Sequence, residues 1–332
     1  MASRITLKTL SERLGISQMA VSKAINGKPG VSEDTRSRVL ALAEELNYRP
    51  NRIAQSLRLS ETKTLGLVIA DSTMSLFAPI IDGVEKTAAE YGYQIILVNA
   101  RSNAVEEQKA VRTLVGKRID GMLLAASMLT DRKHKKFLAE AAVPYLYLVR
   151  RCNYKDGDYV VSDNVASCRE MVGYLLDKGA PVHFLNLPAE LTTAGDRLLG
   201  YKQAFEDKGR PCDERLVYNI KPTISAGYEK TKRLLDGGEN LHTVFCGCDM
   251  IAVGVMQALR ERGLSVPKDV WVASHDDIEM AQHLGVPLTT IRAPLYDIAA
   301  LGTRELIEKI QSGSGKRIRI ALPSSPVFRD SA

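Results

Sequence analysis

The chain has 332 residues, of which 45% are hydrophobic and 25% charged, and this composition excludes a disordered or collagen-like protein. At roughly 100–200 residues per domain, the length suggests two domains with room for a small extra module. The formal net charge is +6, and the first 60 residues carry +5 of it, with ten Lys or Arg and five Asp or Glu. Such a basic segment is either a solubilising head or a surface that binds a polyanion, and charge alone does not choose between them.

The N-terminal residues lack the apolar core of a secretory leader, and no stretch approaches the ~18 uncharged apolar residues of a membrane span. The five cysteines are Cys152, Cys168, Cys212, Cys246 and Cys248. Their odd number and scattered positions indicate reduced thiols rather than a disulfide framework. We therefore expect a cytoplasmic protein that makes no contact with a membrane.

Three short helices are predicted within the first 50 residues. Thr6, Ser17 and Ser32 each precede an apolar stripe, and each can cap a helix with its hydroxyl. Gly15 can end the first helix in the left-handed conformation, so only a few residues join the first two helices. The stripes comprise Leu7, Leu10, Leu14, Ala20, Val21, Ala24, Ile25, Val39, Leu42, Ala43 and Leu46. They predict a small all-α core with the spacing of a helix-turn-helix.

The second helix has an outward face as well as a buried one. If Ala20, Val21, Ala24 and Ile25 are buried, then Gln18, Met19, Ser22 and Lys23 must point outward. Glutamine can pair with adenine, lysine can reach guanine acceptors, and methionine can touch a thymine methyl group. Together with the basic charge, this face predicts a helix that reads the major groove of DNA.

A linker follows the third helix. Pro50 stops that helix, and Asn51 can cap a short helix over Arg52–Arg58. Its apolar side, Ile53, Ala54 and Leu57, could pack on the following domain. Alternatively, two copies of the helix pair and wedge Leu57 into the minor groove.

From residue 64 onward, short apolar strands alternate with amphipathic helices, which predicts parallel sheets in a doubly wound α/β fold. About ten strands is large for one such sheet, so two lobes are expected, with a cleft beyond the carboxyl ends of their strands. Polar residues that follow strands are the candidates to line that cleft. They are Asp71, Ser72, Arg101, Ser127, Arg150, Asp163, Asp249, Asp276 and Asp277.

The segments GISQMAVSKAING, VSEDTR, LNYRPN and AQSLR resemble the headpiece of the LacI/GalR family of bacterial transcriptional regulators, and the resemblance extends over essentially the whole chain. It implies a helix-turn-helix headpiece at 1–50, a hinge helix and linker at 51–61, and a two-lobe domain like periplasmic binding proteins at 62–332. By the same resemblance, the first lobe is about 62–161 plus 291–320 and the second about 162–290 plus 321–332. The expected DNA-binding residues are Thr6, Ser17, Gln18, Met19, Ser22, Lys23, Asn26, Asn51, Arg52, Ala54 and Leu57.

The resemblance also implies an effector site between the lobes. TTAGDRLLGY matches the segment that carries an effector-binding arginine, here Arg197, and SHDD stands where the family usually has GYDD. Cys248 occupies the place of a common asparagine, and Val149 the place of a common acid. The expected effector-binding residues are Ser72, Phe77, Arg101, Ser127, Arg150, Asp163, Arg197, Cys248 and Asp276. Several arginines near the cleft hint at an anionic effector such as a sugar acid or a sugar phosphate.

The sequence disfavours two other classes of protein. An enzyme is disfavoured because the chain shows no GxGxxG, no P-loop, no HExxH and no nucleophile elbow, so no catalytic residue, metal or cofactor is expected. A periplasmic solute-binding protein would share the two-lobe fold, but the basic headpiece argues against it. We expect a homodimeric repressor that binds a pseudo-palindromic DNA operator and is switched by a small effector, acting as inducer or corepressor.

Overall fold

A computed structural model describes residues 5–48, 61–179 and 181–332, and its internal contacts divide the chain between Thr62 and Lys63 into two units. Over residues 5–48, the first unit contains three helices, α1 (Leu7–Leu14), α2 (Gln18–Ile25) and α3 (Glu33–Glu45). The predicted caps are confirmed, since Thr6, Ser17 and Ser32 each accept a hydrogen bond from a backbone N–H three residues later. Gly15 ends α1 at φ +66°, a left-handed conformation that suits glycine.

The apolar stripes of the three helices meet in one small core, as expected. Leu10, Val21, Ala24 and Val39 are buried at its centre. Arg36 on α3 fastens the end of α2, because it donates from Nη1 to the Ala24 carbonyl at 3.1 Å and from Nη2 to the Lys28 carbonyl at 3.0 Å. The orientation of α2 therefore depends on α3 as well as on the apolar core.

The described residues of the second unit form two six-stranded sheets. The first sheet has the order β11-β5-β4-β3-β1-β2, and its paired strands all run parallel. Its strands are β1 (Thr64–Ile69), β2 (Gln94–Asn99), β3 (Gly121–Ala125), β4 (Tyr145–Leu148), β5 (Tyr159–Ser162) and β11 (Arg319–Leu322). The helices that pack with it are α4 (Phe77–Glu90), α5 (Ala104–Gly116), α6 (Arg132–Glu140) and α11 (Leu295–Ser312). This sheet and its helices are the first lobe.

The second sheet has the order β12-β10-β9-β8-β6-β7, and only β12 runs antiparallel to its neighbour. Its strands are β6 (Val182–Asn186), β7 (Val217–Asn219), β8 (Thr243–Cys246), β9 (Trp271–Asp276), β10 (Thr289–Arg292) and β12 (Ser325–Val327). Its helices are α7 (Asn164–Lys178), α8 (Thr192–Asp207), α9 (Ile224–Asp236) and α10 (Asp249–Glu261). This sheet and its helices are the second lobe.

The chain passes between the lobes after β5, after β10 and after β11. The predicted doubly wound two-lobe fold is confirmed, although the described residues form twelve strands where the sequence predicts about ten. Short strands such as β5, β7, β10, β11 and β12 have only three or four residues each, too few for an alternating pattern to stand out. In the described ranges, no helix is both long and apolar enough to cross a membrane.

Close helix packing in the second lobe positions one of the predicted effector-binding side chains. Gly200 on α8 lies so near the Val165 carbonyl and Cys168 of α7 that any added Cβ would clash. The contact brings the preceding part of α8, including Arg197, against the N-terminus of α7 at Asn164.

Candidate functional site

The second helix of the first unit has a buried face and an exposed face, and the predicted division holds for four of its eight residues. Val21 and Ala24 are buried, whereas Gln18 is exposed and Met19 is 69% exposed. The other four are half-buried: Ala20 and Ile25, predicted to be buried, and Ser22 and Lys23, predicted to point outward. A large apolar side chain this exposed contributes little to its own core, so Met19 and its neighbours form a surface that can contact another molecule.

Three predicted DNA-binding side chains support the helices themselves. Thr6 caps α1 through Thr9, and Ser17 caps α2 by accepting from the Ala20 N–H at 3.1 Å. Asn26 donates from Nδ2 to the Ser22 carbonyl at 2.7 Å at the other end of α2. These bonds fix both ends of the helix that carries Gln18 and Lys23.

Four further predicted DNA-binding residues lie outside the described residues. They are Asn51, Arg52, Ala54 and Leu57. Their role in the hinge stays a prediction from the sequence.

The strand ends that border the cleft carry an unusual backbone. Six non-glycine residues at or just beyond the ends of β2, β3, β4 and β9 have a positive φ: Arg101, Ser102, Ala126, Val149, Asp276 and Asp277. Val149, a β-branched residue, has φ 71°, and the Arg150 N–H bonds back to the Leu148 carbonyl at 2.8 Å in a tight γ-turn. Such conformations cost about 1–3 kcal/mol each and cluster at binding sites.

Arg197 connects three elements of the second lobe. It is 4% exposed, and it donates from Nε to Asn164 Oδ1 at 2.9 Å. Its Nη1 bonds the Gly247 carbonyl after β8, and its Nη2 lies 3.4 Å from Asp276 Oδ1 after β9. The guanidinium is thus fixed at the carboxyl ends of the strands, next to a carboxylate.

His275 holds that carboxylate from the other side. Its Nδ1 lies 3.1 Å from Asp276 Oδ1, and its ring is fully buried. Burial, followed by the nearby charge of Arg197, lowers the pKa of His275 to about 4. The ring is therefore neutral near pH 7, and its Nδ1 proton can be donated to Asp276.

Asp249, at the start of α10, fixes the loop that follows β9. Its carboxylate accepts from the hydroxyls of Ser274 and Thr290 and from the Ile278 N–H at 2.8 Å. Burial, followed by the charge of Asp276, raises the pKa of Asp249 to about 7. The loop that carries Asp276 is thus bonded to α10 as well as to its own strand.

Arg150 of the first lobe approaches the same region. It donates from Nη1 to the Ala126 carbonyl at 2.5 Å and lies 3.4 Å from the sulfur of Met128. Burial lowers its pKa to about 10, and it forms no ion pair with any residue that the structure describes. The loop that it contacts is supported by Glu107, which bonds the Ser127 hydroxyl and accepts from the Met128 N–H at 2.8 Å.

Arg150 lies close enough to Arg197 and Asp276 for both charges to act on its pKa, but the structure places other predicted effector residues differently. Phe77 lies in the core of the first lobe, and Cys248 lies in a core of the second lobe, where burial raises its pKa. The Ser127 hydroxyl is committed to Glu107.

Three more predicted effector residues lie near strand ends without joining the Arg197 cluster. Ser72 accepts from Asn99 Nδ2 at 2.7 Å, and Arg101 is exposed after β2. Asp163 caps α7 by accepting from the Ala166 N–H at 3.0 Å. The effector roles of all these residues stay predictions.

Sequence reasoning missed Glu107, Asn164 and His275. Glu107 shares a helix face with Ala110, Val111 and Leu114, which are buried, so a charged residue at that position signals a specific partner. Asn164 and His275 each stand directly beside a predicted effector acid, and this adjacency was the available signal.

Comparisons with known proteins agree with both units. A model of the bacterial regulatory proteins of the lacI family matches residues 6–51, and a model of periplasmic binding proteins and the sugar binding domain of the LacI family matches residues 62–323. The ribose operon repressor of Escherichia coli (strain K12) is 31% identical over 98% of this chain and 99% of its own. Catabolite control protein A of Priestia megaterium is 28% identical, again over 98% and 99%.

Solved structures show the same likeness. The lac repressor dimer bound to operator and the anti-inducer ONPF is 25% identical and superposes with a TM-score of 0.89 over 99% of both chains. A complex of the transcriptional regulator CelR with cellobiose is 29% identical, with a TM-score of 0.76 over 99% of this chain and 100% of the other. The chain therefore belongs to the LacI family of bacterial regulatory proteins, and it is a DNA-binding transcriptional regulator.

Proposed function

We propose that this protein is a repressor that binds a pseudo-palindromic operator as a homodimer and is switched by a small polar effector held between its lobes. The observation that carries the effector site is the Arg197 cluster, in which a buried guanidinium, Asn164 and the Asp276 carboxylate meet at the carboxyl ends of the second sheet. Ligands of open α/β sheets bind at such strand ends. We propose no catalytic role for these residues.

The proposed division of labour follows the predicted domains. Residues 1–50 form the DNA-binding headpiece, 51–61 the hinge, and 62–332 the effector-binding and dimerisation domain. Two copies of α2 enter successive major grooves, about one helical turn apart. Gln18, Met19, Ser22 and Lys23 then face the base edges, and Leu57 of the hinge wedges into the central minor groove.

A sugar, a sugar acid or a sugar phosphate suits the proposed site. Asp276 can accept from hydroxyl groups, whereas Arg197 and Arg150 can donate to hydroxyl or anionic oxygens. Cellobiose in the CelR complex and the ligands of the lac repressor belong to those proteins, but they support a carbohydrate-like effector here. Arg150 lies on one side of the cleft and Arg197 on the other, so a ligand that contacts both favours the closed cleft.

The switch requires that the effector distinguishes two states. An inducer must bind more tightly to the protein state that has low affinity for DNA, whereas a corepressor must bind more tightly to the operator-bound state. By reciprocity, the operator changes the affinity for the effector by the same factor.

Two measurements on the full-length protein test this proposal. In the first, the protein selects duplexes from a random pool, and its affinity for the selected duplex is measured as a function of salt concentration. We expect a palindromic consensus sequence and a steep loss of affinity at higher salt. The second screens sugars, sugar acids and sugar phosphates by thermal shift, where a ligand at 100 times its Kd adds about 2.7 kcal/mol of stability. A protein that selects no duplex, or whose stabilising ligands leave operator binding unchanged, contradicts the proposal.

A further inference from the structure

Each of the two facing arginines has a charged neighbour that reaches the opposite lobe. Arg151 follows Arg150 in the first lobe, where Cys152 and Tyr154 anchor the same segment in the core. Asp196 precedes Arg197 on α8 of the second lobe.

Arg151 and Asp196 form a two-point ion pair between the lobes. Arg151 donates from Nη2 to Asp196 Oδ1 at 2.6 Å and from Nε to Oδ2 at 3.1 Å. The side chains are 39% and 17% exposed, and the hydrogen bond that Arg151 donates to Asp196 raises the pKa of Arg151. Paired bonds between a guanidinium and a carboxylate fix orientation as well as distance, unlike the contacts of a single surface charge.

The pair opposes a repulsion that arises when the lobes approach each other. Arg150 and Arg197 carry like charges. The pKa of Arg150 is lowered most by burial, is raised by the charge of Glu107, and is lowered again by the charge of Arg197. Met128 of the first lobe also packs against a core of the second lobe. The closed cleft thus brings two guanidinium groups together, while the adjacent Arg151 and Asp196 attract.

We propose that the Arg151–Asp196 pair is an interlobe latch that holds the effector cleft closed before effector binds and so positions Arg150 and Arg197 across it. This proposal rests on the proposed function, because the latch spans the same effector cleft. It predicts that the cleft is closed in the protein without effector. A ligand that needs the closed cleft binds with an apparent affinity that scales with the closed fraction. Arg151 and Asp196 are therefore positioning residues that act through their neighbours.

Hydrogen–deuterium exchange on the full-length, effector-free protein tests the latch through charge reversal. The variants are Arg151→Glu, Asp196→Arg and the double variant. Mass spectrometry measures deuterium uptake in peptides that cover residues 126–130 and 247–251. We expect each single variant to exchange about two- to fivefold faster in these peptides, the range that a partly exposed ion pair supports. The double variant restores the opposite charges and should recover most of the protection.

The chain offers a matched control. Arg169 on α7 and Asp207 on α8 form another two-point pair, with Arg169 Nη2 to Asp207 Oδ1 at 2.6 Å, but both residues belong to the second lobe. Reversing that pair should leave exchange at the cleft unchanged. Should an arginine at position 196 disturb α8, Asp196→Asn removes the charge without adding a second positive group beside Arg197.

Equal exchange at the cleft in the parent, Arg151→Glu and Asp196→Asn overturns the latch. A double variant that exchanges as fast as the single variants overturns it as well, because the pairing would then carry no specific energy. Neither measurement uses effector or DNA, so failure of the latch is distinguishable from failure of the proposed repressor function.

Discussion

The Nη2 atom of Arg197 lies 3.4 Å from Oδ1 of Asp276, the longest of the three hydrogen bonds that this guanidinium makes with the described residues. The Asn164 contact is 2.9 Å, and the Gly247 carbonyl is bonded more closely still. A ligand hydroxyl can therefore compete for Asp276 at small cost while Asn164 and Gly247 keep the arginine in place.

Replacing Arg197 by lysine should abolish the response to effector while the protein still folds and binds DNA. Lysine cannot reach Asn164, Gly247 and Asp276 together, so we expect the free energy of unfolding to fall by about 1–3 kcal/mol as well. Thermal shift with an identified ligand measures the first effect, and urea unfolding the second. Arg215→Lys, at an exposed side chain that pairs locally with Asp213, is the control. A normal ligand response in Arg197→Lys places the effector elsewhere.

Replacing Gln18 by alanine should relax operator preference. The side chain is exposed on α2 and makes no contribution to the core, so folding should be unaffected. Loss of paired hydrogen bonds to a base removes about 1–3 kcal/mol of discrimination at that position. Competition binding on single-base variants of the selected operator measures this difference, with Arg38→Ala, on α3, as the control. Unchanged preference in Gln18→Ala contradicts base contact by this residue.

Effectors with a carboxylate or a phosphate group should bind better than their neutral counterparts. Arg150 forms no ion pair with the described residues and only its Nη1 donates to them, so an anionic group can supply the missing partner. Thermal shift with ribose against ribose 5-phosphate, and glucose against gluconate, compares the two classes. Arg150→Met should remove any advantage of the charged ligands. Equal shifts within each pair would show that Arg150 binds hydroxyl groups instead.

The buried His275 should make stability depend on pH. Because its pKa falls from the ordinary 6.5 to about 4 in the folded protein, its contribution is complete above pH 6.5 and is lost as pH falls toward 4. The loss amounts to about 3 kcal/mol at most. Asp249, with a pKa raised to about 7, acts with the opposite sign, since its contribution is complete at low pH and is lost as pH rises through 7.

Comparing the parent with His275→Gln separates these two effects, because both proteins retain Asp249. Urea unfolding between pH 4 and pH 8 should show that the variant loses less stability on acidification than the parent. The exposed His242, replaced by glutamine, is the control. Identical pH profiles for the parent and His275→Gln would mean that the ring is not buried in its neutral form.

Much of the headpiece and the general place of the cleft could be predicted from local patterns. A cap, an apolar stripe and a left-handed glycine act within a few residues, so Ser17, Val21 and Gly15 indicate their roles directly. The strand ends could be predicted as well, because alternating strands and helices place their carboxyl ends at one edge. Arg150 is predicted in this way, whereas Arg197, inside a helix, is predicted only by the family resemblance.

The partners of those residues could not be predicted. Glu107 and Ser127 are 20 positions apart, Asn164 and Arg197 are 33 apart, and Arg151 and Asp196 are 45 apart. Each pair depends on how helices cross and how the lobes approach, which no local pattern records. Phe77 and Cys248 illustrate the same limit. The family resemblance predicts both as effector-binding residues, whereas in the structure both are buried in cores.

The sequence by itself determined the class of this protein, because helix caps, apolar periodicity and the basic headpiece follow from short-range chemistry. The tertiary structure decided which polar groups meet: Arg197 with Asn164, Gly247 and Asp276, and Arg151 with Asp196. The physical reason is distance along the chain. A cap or a stripe is specified by neighbours, whereas a contact between the lobes exists only after both sheets have formed and come together.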